Sequence, residues 1–124
     1  MTKETKAAIL LVEPHQPTQM VVMMALEPDG YGVLAEKCIT DAVTTARIVR
    51  FDAAICETRL PDGTGVDLCH QLTAIQPHLR VLHFTAVTTH GDRQIAEVCG
   101  HAVLQKPACM ADLRNALKEL LHTQ

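Results

Sequence analysis

The 124-residue chain has no tryptophan, and Tyr31, Phe51 and Phe84 are its only aromatic residues. Rings on which single-stranded nucleic acid stacks are therefore scarce. The 11 Lys and Arg residues are scattered and outnumbered by 14 acids, for a net charge of −3, so no basic stripe takes their place. Direct nucleic-acid binding is not expected. No apolar run approaches the roughly 20 residues of a membrane helix, and Ala7 to Val12 is too short for a signal-peptide core. A cytoplasmic chain with no membrane contact is the expectation. Cys38, Cys56, Cys69, Cys99 and Cys109 form no C-x-x-C pair and are odd in number, which reads as reduced, mostly packing residues. The seven histidines are equally dispersed and no pair has zinc-site spacing, so no structural metal is expected.

The apolar content is ordinary for a globular chain: 48% hydrophobic residues against 20% charged. At this length one domain fits, read here as residues 7–122 after a polar tail over 1–6. Ala7 to Val12 is a continuous apolar run of strand length, which suits a strand covered on both faces. Pro14 and Pro17 then admit a helix that continues through Leu26 to Pro28-Asp29-Gly30. Gly32 to Glu36 reads as a second strand, and Ala42, Ala46 and Val49 set a helix over Asp41 to Val49. Ala53 to Cys56 is a third strand, followed by Leu68, Leu72 and Ile75 at helical spacing before Pro77. Leu79 to Phe84, a helix over Asp92 to Cys99 closed by Gly100, a strand over His101 to Leu104, and a helix marked by Leu113, Ala116, Leu117, Leu120 and Leu121 complete the series.

Strands alternating with helices imply an α/β, doubly wound parallel sheet, and in such sheets a site forms beyond the carboxyl ends of the strands. Glu13, Glu57, Thr85 and Lys106 each fall at or just after a strand end. Four polar groups from distant positions should therefore converge. A nucleotide or flavin site on the same sheet is disfavoured, because Glu13-Pro14-His15-Gln16-Pro17 offers prolines where a phosphate loop needs free backbone N–H groups.

Leu10-Leu11-Val12-Glu13, Leu26-Glu27 ahead of Gly30-Tyr31, Glu57-Thr58-Arg59-Leu60-Pro61 with Gly65 downstream, Thr85-Ala86, Gly100 and Lys106-Pro107 occur in one order and spacing. Together they resemble the receiver (CheY-like) domain of two-component response regulators. The resemblance implies a flavodoxin-like (βα)5 fold with strand order 2-1-3-4-5, an example of the reversed strand order that creates a ligand crevice. It also implies a magnesium ion held by an acidic pair after the first strand and by an acceptor aspartate after the third. That aspartate takes a phosphoryl group, a case of carboxylate nucleophilic catalysis. A hydroxyl and a lysine from the later strands then read out the added charge.

Mapped onto this chain, Glu57 stands at the phosphoacceptor, Glu13 and Pro14 at the acidic pair, Thr85 and Val103 at the switch pair, and Lys106 with Pro107 at the lysine. Glutamate keeps the charge of aspartate but moves it about 1.5 Å outward. Pro14 has no carboxylate, and Val103 replaces a ring that swings. Weak or absent Mg2+ binding is expected, since that ion demands near-octahedral oxygen coordination. The leading expectation is a non-enzymatic, phosphorylation-independent interaction module in which Glu57 pairs with Lys106. The alternative is a regulator whose Glu57, or another acid, still accepts a phosphoryl group from a histidine kinase or phosphotransfer protein; His15 as a substitute acceptor ranks below an exposed residue in a helix's first turn. Expected partners are a histidine kinase, a phosphotransfer protein, an attached output domain or a second copy of the chain. Met20, Val21 and Met24 are the candidate contact residues, because one helix cannot point all its apolar residues at the sheet and the resemblance implies that Val22, Met23 and Leu26 take the inward register.

Overall fold

Ile9, Leu10, Leu11 and Val12 are all buried, and they divide between two cores. Strand β1 (Ala8–Val12) points Ile9 and Leu11 to one face of the sheet and Leu10 and Val12 to the other. Successive side chains in a strand alternate, so a run with no polar residue requires cover on both sides. β3 (Ala53–Cys56) repeats the pattern, with Ala53 and Ile55 in the first core and Ala54 and Cys56 in the second. The structure, a computed structural model, describes residues 7–86, 102–106 and 108–122.

The remaining elements are α1 (Gln16–Leu26), β2 (Gly32–Glu36), α2 (Ile39–Ala46), a small antiparallel hairpin of β4 (Arg59–Leu60) and β5 (Gly63–Thr64), α3 (Gly65–Ile75), β6 (Arg80–Thr85), β7 (Ala102–Gln105) and α4 (Met110–His122). The main sheet is parallel throughout, in the order β2-β1-β3-β6-β7. Numbered among its own five strands, that order is 2-1-3-4-5, the flavodoxin-like arrangement expected. Val22, Leu26, Leu113, Leu117 and Leu120 of α1 and α4 fill the first core; Ile39, Ala42, Leu68 and Leu72 of α2 and α3 fill the second.

Element boundaries differ from the sequence reading where side chains from elsewhere intervene. α2 begins at Ile39 rather than Asp41, because Asp62 reaches over from the β4–β5 hairpin and accepts from the Ile39 N–H (2.8 Å) and the Thr40 N–H (3.0 Å). It ends at Ala46, and Val49 packs on the second core from outside the helix. β6 runs one residue later at each end than Leu79 to Phe84, and β7 covers Ala102–Gln105. The expected tail over 1–6, the helix over 92–99, Gly100, His101 and Pro107 lie outside the described residues.

Candidate functional site

The end of β1 and the end of β3 are adjacent, since Val12 pairs with Cys56 and the Glu57 N–H donates to the Val12 carbonyl at 3.0 Å. Glu13 and Glu57 therefore leave neighbouring strands side by side. Lys106 follows β7, and its backbone N–H donates to the Thr85 carbonyl at 2.8 Å. From there its side chain spans to both acids: Nζ lies 2.5 Å from Glu13 Oε1 and 2.7 Å from Glu57 Oε2. The sequence reading paired Lys106 with Glu57 alone; the bond to Glu13 went unforeseen because it joins residues 93 positions apart. The Phe84 ring completes the lysine's surroundings, with its centroid 5.2 Å from Nζ.

Every oxygen of the two carboxylates has a donor. Glu13 Oε2 accepts from the His15 N–H (3.1 Å), and Glu57 Oε1 accepts from the Thr58 N–H (2.7 Å). Burial alone would pull the Lys106 ammonium down, but the bonds to Glu13 and Glu57 and their negative charge outweigh it and raise its pKa. Two acids and one base leave the cluster with a net charge of −1. Glu13 is itself anchored by Gln19, a buried residue of α1 whose Nε2 donates to the Glu13 carbonyl at 2.7 Å. Gln19 carries no sequence signal, as an amide in a helix reads as a surface residue.

Gly65 explains why the loop after Glu57 stays close. Its N–H donates to the Thr58 carbonyl at 2.7 Å, and a Cβ built there would stand 2.6 Å from the Glu57 carbonyl oxygen, so only glycine fits. α3 starts at this point, held by a reciprocal capping box between Thr64 and Asp67.

The other candidates are placed as follows. Thr85 is buried at the end of β6, and Val103 is half-buried beside His83 in the β6–β7 register. Pro14 is half-buried next to Glu13, with only a backbone carbonyl to offer a cation. His15 is the exposed residue ahead of α1, and its Nδ1 lies 2.7 Å from Thr18 Oγ1. Met20, Val21 and Met24 are 58%, 51% and 61% exposed, whereas Val22 and Leu26 are buried. An apolar groove of about 430 Å3 runs between α1 and α4, lined among others by Pro17, Val21, Phe84, Lys106 and Leu113; of the three exposed residues only Val21 lines it.

The donor set at this site is poor in oxygens for a magnesium ion. An octahedral hard cation takes several oxygens with free lone-pair directions. Here one of three expected acids is a proline, and the two remaining carboxylates already converge on an ammonium. Among the described residues no three His, Cys, Asp or Glu side chains group as metal ligands. These residues do not fit the ion as they stand.

The response regulator receiver domain model matches residues 9–118. Among curated proteins, the transcriptional regulatory protein CreB of Escherichia coli is 30% identical over 122 residues, covering 98% of this chain and 52% of that protein. The chain spans about half the length of the first curated relatives it matches. Among solved structures, the non-phosphorylated HemR receiver domain of Leptospira biflexa has a TM-score of 0.86 at 28% identity, covering 96% of this chain and 97% of that one. The receiver domain of the sensor histidine kinase PA1611 of Pseudomonas aeruginosa, solved with a magnesium ion in its active-site cleft, has a TM-score of 0.85 at 28% identity, covering 94% and 98%. With the family model covering most of the chain and these folds superposing along nearly all of it, the chain belongs to the response regulator receiver domain family.

Proposed function

We propose that this receiver domain works as a phosphorylation-independent interaction module, with Glu57 and Lys106 held in a preformed charge cluster. One observation carries the reading: Lys106 bridges Glu13 and Glu57 at 2.5 and 2.7 Å, so the lysine that would meet an incoming phosphoryl group already has two anions. A phosphoryl group brings about −1.5 to −2 charges and three acceptor oxygens, whereas glutamate brings one charge and two oxygens. The mimicry is partial, and it is permanent. Weak or absent Mg2+ binding follows from the same donor set, and Val103 in place of a swinging ring implies a readout that does not depend on rotamer exchange at that position. Partner contact is assigned to the outer face of α1, where Met20, Val21 and Met24 are exposed and Val21 also lines the apolar groove. The family's partners are histidine kinases, phosphotransfer proteins and output domains.

Intact-mass spectrometry after incubation with Mg2+ and a small phosphodonor tests the chemistry. No added phosphoryl group is expected. Near-stoichiometric addition mapped to Glu57 overturns the reading and establishes the alternative, a glutamyl phosphoacceptor.

A further inference from the structure

At the opposite end of the sheet from Lys106, the segments that lead into the strands enclose a second cleft of about 480 Å3. Tyr31 lines it from just ahead of β2, Asp52 from just ahead of β3, His78 and Arg80 from the start of β6, and Leu121 and His122 from the end of α4. The volume lies in the range of small-molecule sites. Nothing in the charge cluster at the other end uses these residues.

Two of the lining side chains carry polar groups that have no partner among the described residues and remain accessible from the cleft. Arg80 is half-buried, yet its guanidinium makes no ion pair or side-chain hydrogen bond among the described residues. Tyr31 is only 9% exposed, and its hydroxyl makes no hydrogen bond among the described residues. Burial, reinforced by the charge of Asp29, raises the pKa of that hydroxyl, which keeps it protonated and able to donate. Asp52 is already committed in part: its Oδ2 accepts from the Ala8 N–H at 2.9 Å. His78 is likewise tied by Nε2 to the Phe51 carbonyl, 3.0 Å away.

A guanidinium fork with free N–H groups, a phenol whose ring is largely covered while its hydroxyl stays accessible, and an apolar wall at Leu121 together describe an acceptor for a planar oxyanion with an apolar body. The Asp52 carboxylate in the same cleft repels a second negative charge and so favours a singly charged ligand. We propose that this basal cleft binds a small organic monocarboxylate, with Arg80 pairing its carboxylate, Tyr31 donating to it, and Leu121 covering its apolar body.

Titrations of the full chain with benzoate and, separately, phenyl phosphate, followed by amide chemical shifts, test the assignment. Expected are saturable benzoate shifts at Tyr31, Asp52, Arg80 and His122, with phenyl phosphate weaker. Arg80→Gln should weaken benzoate about tenfold or more, and Tyr31→Phe about threefold, as charge-assisted and neutral hydrogen bonds differ in strength. Arg80→Lys, which keeps the charge and loses the fork, should fall between wild type and Arg80→Gln, and it serves if the glutamine variant fails to fold. Lys106→Gln should leave benzoate affinity unchanged. Absence of saturation up to about 10 mM, a limit that corresponds to negligible affinity, overturns the proposal. So do shifts confined to the Glu13 and Glu57 end, tighter binding of phenyl phosphate, or equal binding by both Arg80 variants and wild type.

Discussion

The two faces of the sheet are built differently. On the α2–α3 side, buried polar side chains cross between elements. Gln76, 7% exposed, donates to the Ala46 and Val49 carbonyls at 2.8 and 2.7 Å and accepts from the Phe51 N–H at 2.9 Å, joining the end of α2, the entry to β3 and the end of α3. Asp62 holds the other end of α2. On the α1–α4 side the helices meet through apolar side chains, and the groove between them stays open with Met20, Met24 and Met110 exposed. An eight-residue helix such as α2 is too short to persist on its own propensity, so it is stabilised from outside. The longer α1 and α4 meet each other through core burial, and Gln19 is the buried polar link that ties α1 to the end of β1.

The largest expected effect breaks the first side. Gln76→Ala leaves two carbonyls and one N–H unsatisfied and should cost about 2–4 kcal/mol in urea unfolding, against about 1 kcal/mol for Gln19→Ala on the α1 side. Equal losses would dissolve the contrast between the faces.

Next is the cluster that both faces border. Lys106→Gln removes the cation between two carboxylates and should cost about 1–3 kcal/mol, less than a fully buried pair because the site is partly open. Since the Lys106 pKa is raised in the folded state, its stabilisation is complete below the ordinary lysine value of about 10.4 and is lost as pH rises through the higher folded value. A stability profile above pH 10 that is flatter in Lys106→Gln than in wild type checks the sign.

A smaller effect is expected at Asp62, which is exposed. Hydrogen bonds from the Ile39 and Thr40 backbone hold its carboxyl below the ordinary carboxylate range. Its contribution is present above about pH 4 and is lost as pH falls through the lowered folded value. Asp62→Asn should speed hydrogen exchange at the Ile39 and Thr40 amides at neutral pH and remove that acid dependence; unchanged exchange would place the hold on α2 elsewhere.

The smallest effect on stability should come from the open side. Met20→Glu with Met24→Glu is expected to shift unfolding by no more than about 0.5 kcal/mol, as exposed substitutions do, while abolishing association with a partner or a second copy. A large loss of stability would show those methionines to be part of the core, and binding untouched by the pair would move the contact surface off α1.

Much of this is legible in the sequence. The unbroken apolar runs at Ala8 to Val12 and Ala53 to Cys56 announced doubly covered strands, and strand–helix alternation left few topologies. Glu57 and Lys106 were brought to one end of the sheet because each follows a parallel strand, and parallel strands all finish on the same side. Helical counting shows that Met20 to Met24 and Leu26 cannot all face the sheet, and the family resemblance supplies the register that turns Met20, Val21 and Met24 outward. These are local or periodic properties, carried by neighbouring residues.

Tertiary structure alone decided the rest. Lys106 takes Glu13 as well as Glu57, a choice set by how closely β1 and β3 lie and by the direction of one flexible side chain. Asp62 starts α2 from a separate loop, so the helix begins two residues before any local signal places it. Gln76 and Gln19 look like surface amides in the sequence and become buried links only when distant carbonyls arrive beside them. Arg80 and Tyr31, 49 positions apart in the numbering, share a cleft because both lie at the end of the sheet where its parallel strands begin. Periodicity reports which face a residue takes; hydrogen bonds and ion pairs depend on which backbone groups are left without partners nearby, and only the packed chain determines that.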